Sequence, residues 1–291
     1  MSFKDKLSRS ATLTAQSLSS LIRVACLSRP VGKPIQVAAD KELVILGNGP
    51  SLRTLLDKEP EFRVGRDLMA VNFFANTPEF TVLKPEHYIL ADPHFFNLDG
   101  KDSNVVSLWE NLLSSSHSMT LHVPAKMRRH PSVKKFVTGG NGKKLLCFNM
   151  TPGEGFKWVR NVLYSHKLAM PRPRNVMIPA IMEAIASGYK KIYLAGADHT
   201  WSRTLSVDES NRVVSVQPHF YKDGAEEQKR VYSEYAGYHL HDILKSLYIA
   251  FSSYHLIADF IKERDIAIIN ITPGSFIDAF PRGTLYSQEK E

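Results

Sequence analysis

Polar side chains suited to ligand binding and proton transfer follow several short apolar runs of this sequence. An amide can hydrogen-bond a base or a sugar, a carboxylate can hold a cation or accept a proton, and a histidine can act as a base near neutral pH. These residues are Asn48, Asn72, Asp92, Asp198 and His199. Because each stands where a predicted strand ends, we expect them to meet in one cleft.

A glycine-rich turn, Gly47 to Ser51, follows the first apolar run. We expect Gly47 and Gly49 to allow positive φ and close approach of a phosphate, and Ser51 to cap the next helix, whose N–H groups favour an anion. The spacing matches neither the dinucleotide-binding G-x-G-x-x-G nor the phosphate-binding G-x-x-x-x-G-K-[ST] pattern. A tight turn with a structural role only is the alternative.

The elements that must position these residues alternate between strands and helices. Helices are predicted around 53–58 and 179–187, the second with Gly188 at its end. This alternation predicts an α/β fold, a single Rossmann-like, doubly wound, mostly parallel sheet. The strands are predicted over 42–46, 68–71, 87–91, 119–123, 191–195 and 266–271.

The amino-terminal stretch differs from the rest of the chain. Residues 1–33 contain six basic side chains and one acid, together with apolar residues at helical spacing, and two prolines and a glycine follow within 30–34. We expect a basic amphipathic arm and linker over 1–34, a catalytic domain over 35–291 and a helical lid over about 200–255. The arm could lie on an anionic membrane surface, pack on its own domain, or be a processed leader.

Composition narrows the class of partner. The 291 residues include 37 basic and 29 acidic side chains, a net charge of +8, which favours anionic partners such as phosphates, nucleotides, acidic sugars or a membrane face. Two cysteines exclude a disulfide framework and a four-cysteine zinc site. No apolar run reaches the roughly 18 residues of a membrane-spanning helix, and no nucleic-acid-binding module is found. We expect a cytoplasmic protein, peripheral at the inner membrane, without a nucleic-acid partner.

Several stretches of the chain resemble the bacterial lipooligosaccharide sialyltransferases. They are Leu46 to Leu52, Val71 to Phe74 and Ala186 to Asp198, and the closing Thr272 to Ser275 is similar to that family's last strand. The first and third also look like the wider superfamily named for the archaeal hydroxymethylpterin diphosphokinase. The resemblance covers roughly residues 42–98 and 172–282 and implies a nucleotide-binding Rossmann-like domain.

The resemblance also implies roles for individual residues. Gly47, Asn48 and Gly49 would face the nucleotide phosphates, and Asn72 would contact the nucleotide sugar or base. We expect Ser51, Asp92, Asp198 and Ser275 to complete the nucleotide site.

A metal ion is the point on which the two related groups differ. The sialyltransferases use none, whereas the pterin enzymes need magnesium, and this chain has Asp92-Pro93 where the sialyltransferases have an asparagine before proline. We expect no cofactor, with Mg²⁺ held by Asp92 and Asp198 as the alternative.

Four histidines are candidates for the base that accepts the acceptor proton. In the sialyltransferases this histidine lies on a mobile lid before the last helix. Counting back from Pro273 without gaps places Tyr248 there, whereas an insertion in the late helices would place His239 or His241 there, and His219 is another lid candidate. His199 is the fourth candidate because it follows Asp198 at a strand end. A surface or capping role is the alternative for each of them.

Three functional classes follow from these residues. The first is a glycosyltransferase of cell-surface polysaccharide or lipooligosaccharide synthesis, which moves an acidic, sialic acid-like sugar with inversion from a CMP-type nucleotide donor to a glycan or lipid-linked glycan. The second is a magnesium-dependent phosphoryl or diphosphoryl transferase. The third is a non-catalytic scaffold that binds a nucleotide sugar.

Overall fold

The computed structural model describes residues 2–32, 36–38, 40–97, 102–140, 142–215 and 237–285. Seven parallel strands form one sheet in the order β5-β4-β3-β2-β1-β6-β9, and β7 and β8 form a separate antiparallel pair. The predicted α/β, Rossmann-like sheet is therefore confirmed. The strands are β1 Glu42–Leu46, β2 Arg66–Val71, β3 His87–Ile89, β4 Thr120–Pro124, β5 Lys144–Phe148, β6 Lys191–Ala195, β7 Ser206–Val207, β8 Val213–Val214 and β9 Ala267–Asn270.

Both faces of the sheet are covered, which explains the unbroken apolar runs. Along β1, Leu43 and Ile45 enter the core on one face while Val44 and Leu46 enter the core on the other, because successive side chains of a strand point to opposite faces. A strand buried on both sides has no polar face, so its sequence shows no alternation.

The helices divide between these two faces. Helices α2 to α5 pack on the face of Val44 and Leu46, and α6 to α8 pack on the opposite face, which is the doubly wound arrangement. The helices are α1 Phe3–Leu27, α2 Ser51–Lys58, α3 Pro78–Leu83, α4 Ser103–Ser114, α5 Pro131–Thr138, α6 Lys157–Ser165, α7 Met177–Ala186 and α8 Leu240–Ile261.

Most predicted elements agree with the structure, and one strand of the seven-stranded sheet was not predicted, nor was the short β7 and β8 pair. Helices α2 and α7 lie where expected, and Gly188 takes φ +92° just beyond α7. Strand β5 at the edge of the sheet is absent from the prediction, because it follows a glycine-rich stretch and begins with the exposed Lys144. Of the predicted lid, residues 216–236 lie outside the described residues; the remainder contains β7, β8 and much of α8.

The strand order fixes where a ligand site can form. From β1 the chain builds outward through β2, β3, β4 and β5, then returns to place β6 on the other side of β1. Connections after β1 and β6 therefore leave on different sides, and a crevice opens beyond the carboxyl ends of these two strands. Among the described helices, none combines the length and the apolar character needed to cross a membrane.

Candidate functional site

A cavity of about 330 Å³ opens at this crevice, beyond the carboxyl ends of β1, β2 and β6. Its volume is at the lower end of the range found for small-molecule sites. The predicted convergence is present, since the cavity is lined by Gly47, Asn48, Gly49, Asn72, Asp92, Asp198 and His199. It is also lined by Pro173 to Met177, where α7 begins, and by Trp201.

The loops after β1 and β6 cross in direct backbone contact. The N–H of Gly47 donates to Ala195 O over 2.8 Å, and the N–H of Gly49 donates to Gly196 O over 2.8 Å. A Cβ on Gly47 would lie 2.5 Å from Gly196 O, and a Cβ on Gly49 would clash with the Asp198 carboxylate. These two glycines are therefore required by the crossing of the loops.

The expected conformation of the glycine turn was wrong. Neither Gly47 nor Gly49 has a positive φ, whereas Gly196 in the opposite loop does, at +61°. The N–H groups of Gly47 and Gly49 are already bonded to the loop after β6. These two N–H groups therefore have a structural role in the turn, which is the alternative stated above for this segment. Both glycines still border the cavity.

The Asp198 carboxylate contacts the first residue of α2. Its Oδ2 accepts a hydrogen bond from the Ser51 hydroxyl over 2.7 Å, and its Oδ1 accepts a longer one from the Ser51 N–H over 3.4 Å. Ser51 is thus the first residue of α2 and not its cap, which corrects the prediction; Pro50 precedes it as the capping residue. The positive end of the helix is matched by a carboxylate of the protein itself.

Burial raises the pKa of Asp198, and the two hydrogen bonds from Ser51 oppose this shift. The loop that carries Asp198 is supported from below by Ser275, whose hydroxyl donates to Ala197 O over 2.7 Å. Ser275 is 5% exposed and does not line the cavity. Ser275 therefore supports the loop that carries Asp198 and is not one of the residues that line the cavity.

Two asparagines bring unsatisfied amide atoms to the cavity. Oδ1 of Asn72 is buried and has no hydrogen-bond partner among the described residues. Nδ2 of Asn175 is also buried and also lacks a partner among them. The identity of the Asn175 atoms follows from its neighbours, because its Oδ1 accepts from the Met177 N–H and from the Tyr254 hydroxyl, each over 3.0 Å. One acceptor and one donor are therefore available to a polar ligand, and leaving both unpaired is costly.

Asn72 is held in place by its backbone. It adopts φ +52°, a left-handed conformation that asparagine tolerates better than most residues. Its carbonyl accepts a short hydrogen bond from the hydroxyl of the buried Tyr88, which also accepts one from the Ala75 N–H over 2.8 Å. The turn at the end of β2 is therefore held by a side chain of the core.

His199 also has a left-handed backbone, at φ +50°, and its ring stacks on Trp201 with ring centroids 4.2 Å apart. Its Nδ1 lies 3.1 Å from the Tyr254 hydroxyl. Because that hydroxyl gives its proton to Asn175, Nδ1 must carry the proton in this contact and Nε2 keeps its lone pair. Burial lowers the pKa of His199 to about 3, so the ring is neutral at neutral pH.

Asp92 lies exposed at the cavity, and its Oδ1 accepts a hydrogen bond from the His94 N–H over 2.8 Å. Both oxygens of Asp198 are engaged by Ser51. Within the described part of the chain, no three histidine, cysteine, aspartate or glutamate side chains group as a metal site. Of the predicted Asp92 and Asp198 pair, the main oxygen available to Mg²⁺ is therefore Oδ2 of Asp92. One carboxylate oxygen does not make a dedicated metal site, but it can hold a Mg²⁺ ion that is also bound by substrate phosphates.

The other predicted histidines are not brought to the cavity. His239 and His241 border a separate hollow beside β7 and β8, at the start of α8. Tyr254, which contacts His199, lies 15 residues after His239 on that helix, or about 22 Å along its axis. His219 lies outside the described residues.

Sequence reasoning missed Arg174, Asn175 and Trp201 as cavity residues, and it gave Tyr254 no part in the site. Tyr254 is 1% exposed and does belong to the core, but its hydroxyl also links Asn175 to His199. The polar Arg174-Asn175 pair directly before the apolar α7 is the available signal, since residues before a helix often cap it.

No protein-family model and no curated protein sequence matches this chain.

Proposed function

We propose that this chain is a glycosyltransferase that binds a nucleotide-linked acidic sugar in the cavity and transfers the sugar to a hydroxyl of a glycan. The observation that carries the proposal is the pair of buried, unsatisfied amide atoms, Asn72 Oδ1 and Asn175 Nδ2, at the switch point of the sheet. A ligand with both donors and acceptors, such as a nucleoside or a sugar, would satisfy them. The resemblance to the lipooligosaccharide sialyltransferases supports the same ligand class.

Charge at the cavity suits an anionic donor. Arg174 is exposed at its edge and forms no ion pair with any described residue. The start of α7 also faces the cavity through Asn175 and Val176, and the N-terminus of a helix favours negative charge. We assign the donor phosphate to this side, because the N–H groups of Gly47 and Gly49 are engaged elsewhere.

His199 is the base in this proposal. Its Nε2 accepts the proton of the acceptor hydroxyl as that oxygen bonds to the anomeric carbon, and the bond from this carbon to the phosphate oxygen breaks, so the nucleotide leaves as the anion with inversion. The pKa of about 3 belongs to the protein without ligand. A phosphate or carboxylate bound nearby raises the pKa of an imidazole and makes it a better base.

The acceptor, a glycan or a lipid-linked glycan, would enter from the cavity mouth. A second candidate, the magnesium-dependent phosphoryl or diphosphoryl transferase, is favoured by the exposed Asp92 carboxylate at that mouth, because Mg²⁺ is commonly held by one carboxylate together with substrate phosphates.

Ligand binding tests these candidates. We expect thermal stabilisation by CMP or a CMP-sugar in EDTA, whereas stabilisation by ATP only with Mg²⁺ would support the phosphoryl transferase, and binding of a nucleotide sugar without turnover would support the scaffold. Asn175→Asp keeps the oxygen that accepts from Met177 and removes the free donor. It should weaken donor binding about tenfold or more. The exposed Asn104→Asp is the matched control, and equal binding by both variants would remove Asn175 from the site.

Turnover tests His199 separately. His199→Gln should abolish glycosyl transfer while donor affinity stays within a few fold, because a base acts in the chemical step. Transfer at the wild-type rate in this variant would exclude His199 as the base.

A further inference from the structure

Helix α1 docks on the domain through one narrow side. Ser17 and Ser20 are buried, and their hydroxyls accept hydrogen bonds from the N–H groups of Phe156 and Glu154 over 2.9 Å and 2.8 Å. Arg23 contacts the Glu154 carboxylate over 3.1 Å, and Glu154 is bound in turn by Arg172 over 2.6 Å. Serines and an ion pair, with few large apolar side chains, therefore fix the helix in place.

The larger apolar side chains of α1 lie on a different side and are exposed. Leu7 is 63% exposed, Leu18 59%, Leu21 48% and Ile22 56%. At about 100° per residue these four span an arc of about 100°, centred about 120° from the side that carries Ser17 and Ser20. We call this set, Leu7, Leu18, Leu21 and Ile22, the α1 stripe. Docking of the helix thus leaves its most apolar surface facing outward, where it needs another partner.

The free end of the helix is positively charged. Lys4, Lys6 and Arg9 stand against Asp5 alone, and none of these three basic side chains forms an ion pair with a described residue. All residues from 4 to 10 are exposed, and the docking contacts begin only near Leu13 and Ser17. About ten residues, or roughly 15 Å of helix, therefore extend beyond the docked part.

We propose that α1 binds an anionic lipid surface, with the α1 stripe in the interfacial region and Lys4 and Lys6, which flank the stripe, on the headgroups. Arg9 lies on the far side of the helix, about one helix diameter from the surface and within reach of its charge. Charge decides between this partner and a second copy of the chain. Asp5 is the single acidic residue of α1, so a second copy paired along the stripe brings no complementary charge to this basic end in either orientation, whereas an anionic bilayer neutralises these charges. The inference does not depend on the proposed function, because no α1 residue lines the cavity.

Vesicle flotation of the full chain tests the proposal. The wild type should float with vesicles that contain phosphatidylglycerol and remain behind with phosphatidylcholine alone, and high salt should weaken the binding. The double variant Leu18→Glu/Ile22→Glu should bind at least about tenfold more weakly. Its matched control is Val82→Glu/Val162→Glu, which places the same charges at residues 72% and 52% exposed on other helices.

The triple variant Lys4→Glu/Lys6→Glu/Arg9→Glu should lose the preference for the anionic vesicles, since each Lys or Arg near such a surface contributes several-fold. Equal flotation of the stripe variant and its control would overturn the proposal. So would a wild-type dimer, seen in sedimentation, that the stripe variant abolishes. Nucleotide-induced thermal stabilisation should be the same in the stripe variant and the wild type, which separates this result from the outcome for the cavity.

Discussion

A buried, hydrogen-bonded chain of ionisable side chains lies between α7 and the sheet, and its effect on the free energy of unfolding can be tested directly. Glu183 on α7 is 2% exposed, and its carboxylate bonds the Lys167 ammonium over 3.0 Å and Nδ1 of His122 over 3.2 Å. Nε2 of His122 lies 3.0 Å from Nδ1 of His87, whose own Nε2 lies 2.9 Å from the Tyr189 hydroxyl.

The order of protons along this chain can be worked out from one end. The Tyr189 hydroxyl donates to the Asp67 carboxylate over 2.7 Å, so Nε2 of His87 must donate to Tyr189. Nδ1 of His87 therefore accepts from Nε2 of His122. One further proton must lie between Nδ1 of His122 and the Glu183 carboxyl group, which are 3.2 Å apart.

The substitution Glu183→Leu would leave His122 and Lys167 facing an apolar side chain. Removing one partner of a buried ion pair costs about 3–5 kcal/mol. At about 2.1 cal/mol/K per residue, the unfolding entropy of the 291 residues is about 0.6 kcal/mol/K, so this loss corresponds to a fall in Tm of roughly 5–8 °C. The stability of Glu183→Gln should lie between that of Glu183→Leu and that of the wild type, because the amide can donate to a neutral His122 and accept from Lys167 but carries no charge.

Urea unfolding and thermal melts followed by circular dichroism would measure both variants, with the exposed Glu110→Leu as the control expected within about 0.5 kcal/mol of the wild type. A loss of stability below about 1 kcal/mol in Glu183→Leu would refute the buried ion pair, since two desolvated polar groups cannot lose their partner at so small a cost. A glutamine variant less stable than the leucine variant would refute the proton order.

Two further predictions concern pH and the loop crossing. Burial lowers the pKa of both His87 and His199 from 6.5 to about 3. Below pH 6.5 each of these histidines therefore takes up a proton when the protein unfolds. As the pH decreases from about 7.5 to about 5.5, the free energy of unfolding should decrease by about 1.4 kcal/mol for each histidine. His199→Gln should remove one of these contributions in urea unfolding at the two pH values, and an unchanged pH dependence would contradict its burial as a neutral ring. Gly49→Ala should destabilise the protein by about 1–3 kcal/mol because its Cβ would meet Asp198 and Gly196 O. The control is Gly32→Ala, whose Cβ meets nothing within 4 Å. Equal stabilities of the two variants would show that the loops after β1 and β6 do not cross so closely.

The sequence determined the fold class and the edge of the sheet that holds the cavity. The short apolar runs before Asn72, Asp92 and Asp198 have the length and composition of strands buried on both faces, and parallel strands bring their carboxyl ends to one edge. The edge strand β5 escaped prediction because it is partly exposed and begins with lysine, so its local pattern lacks the burial signal.

The tertiary structure alone decided what each cavity residue does. Ser51 and Asp198 are 147 residues apart, and Tyr254 lies 79 residues from Asn175, so neither contact leaves a local trace in the sequence. The role of Gly49 likewise depends on where the loop after β6 passes. Local propensities act over a few residues, whereas the pairing of polar groups in a cleft depends on how distant loops cross, and only the folded sheet brings those loops together.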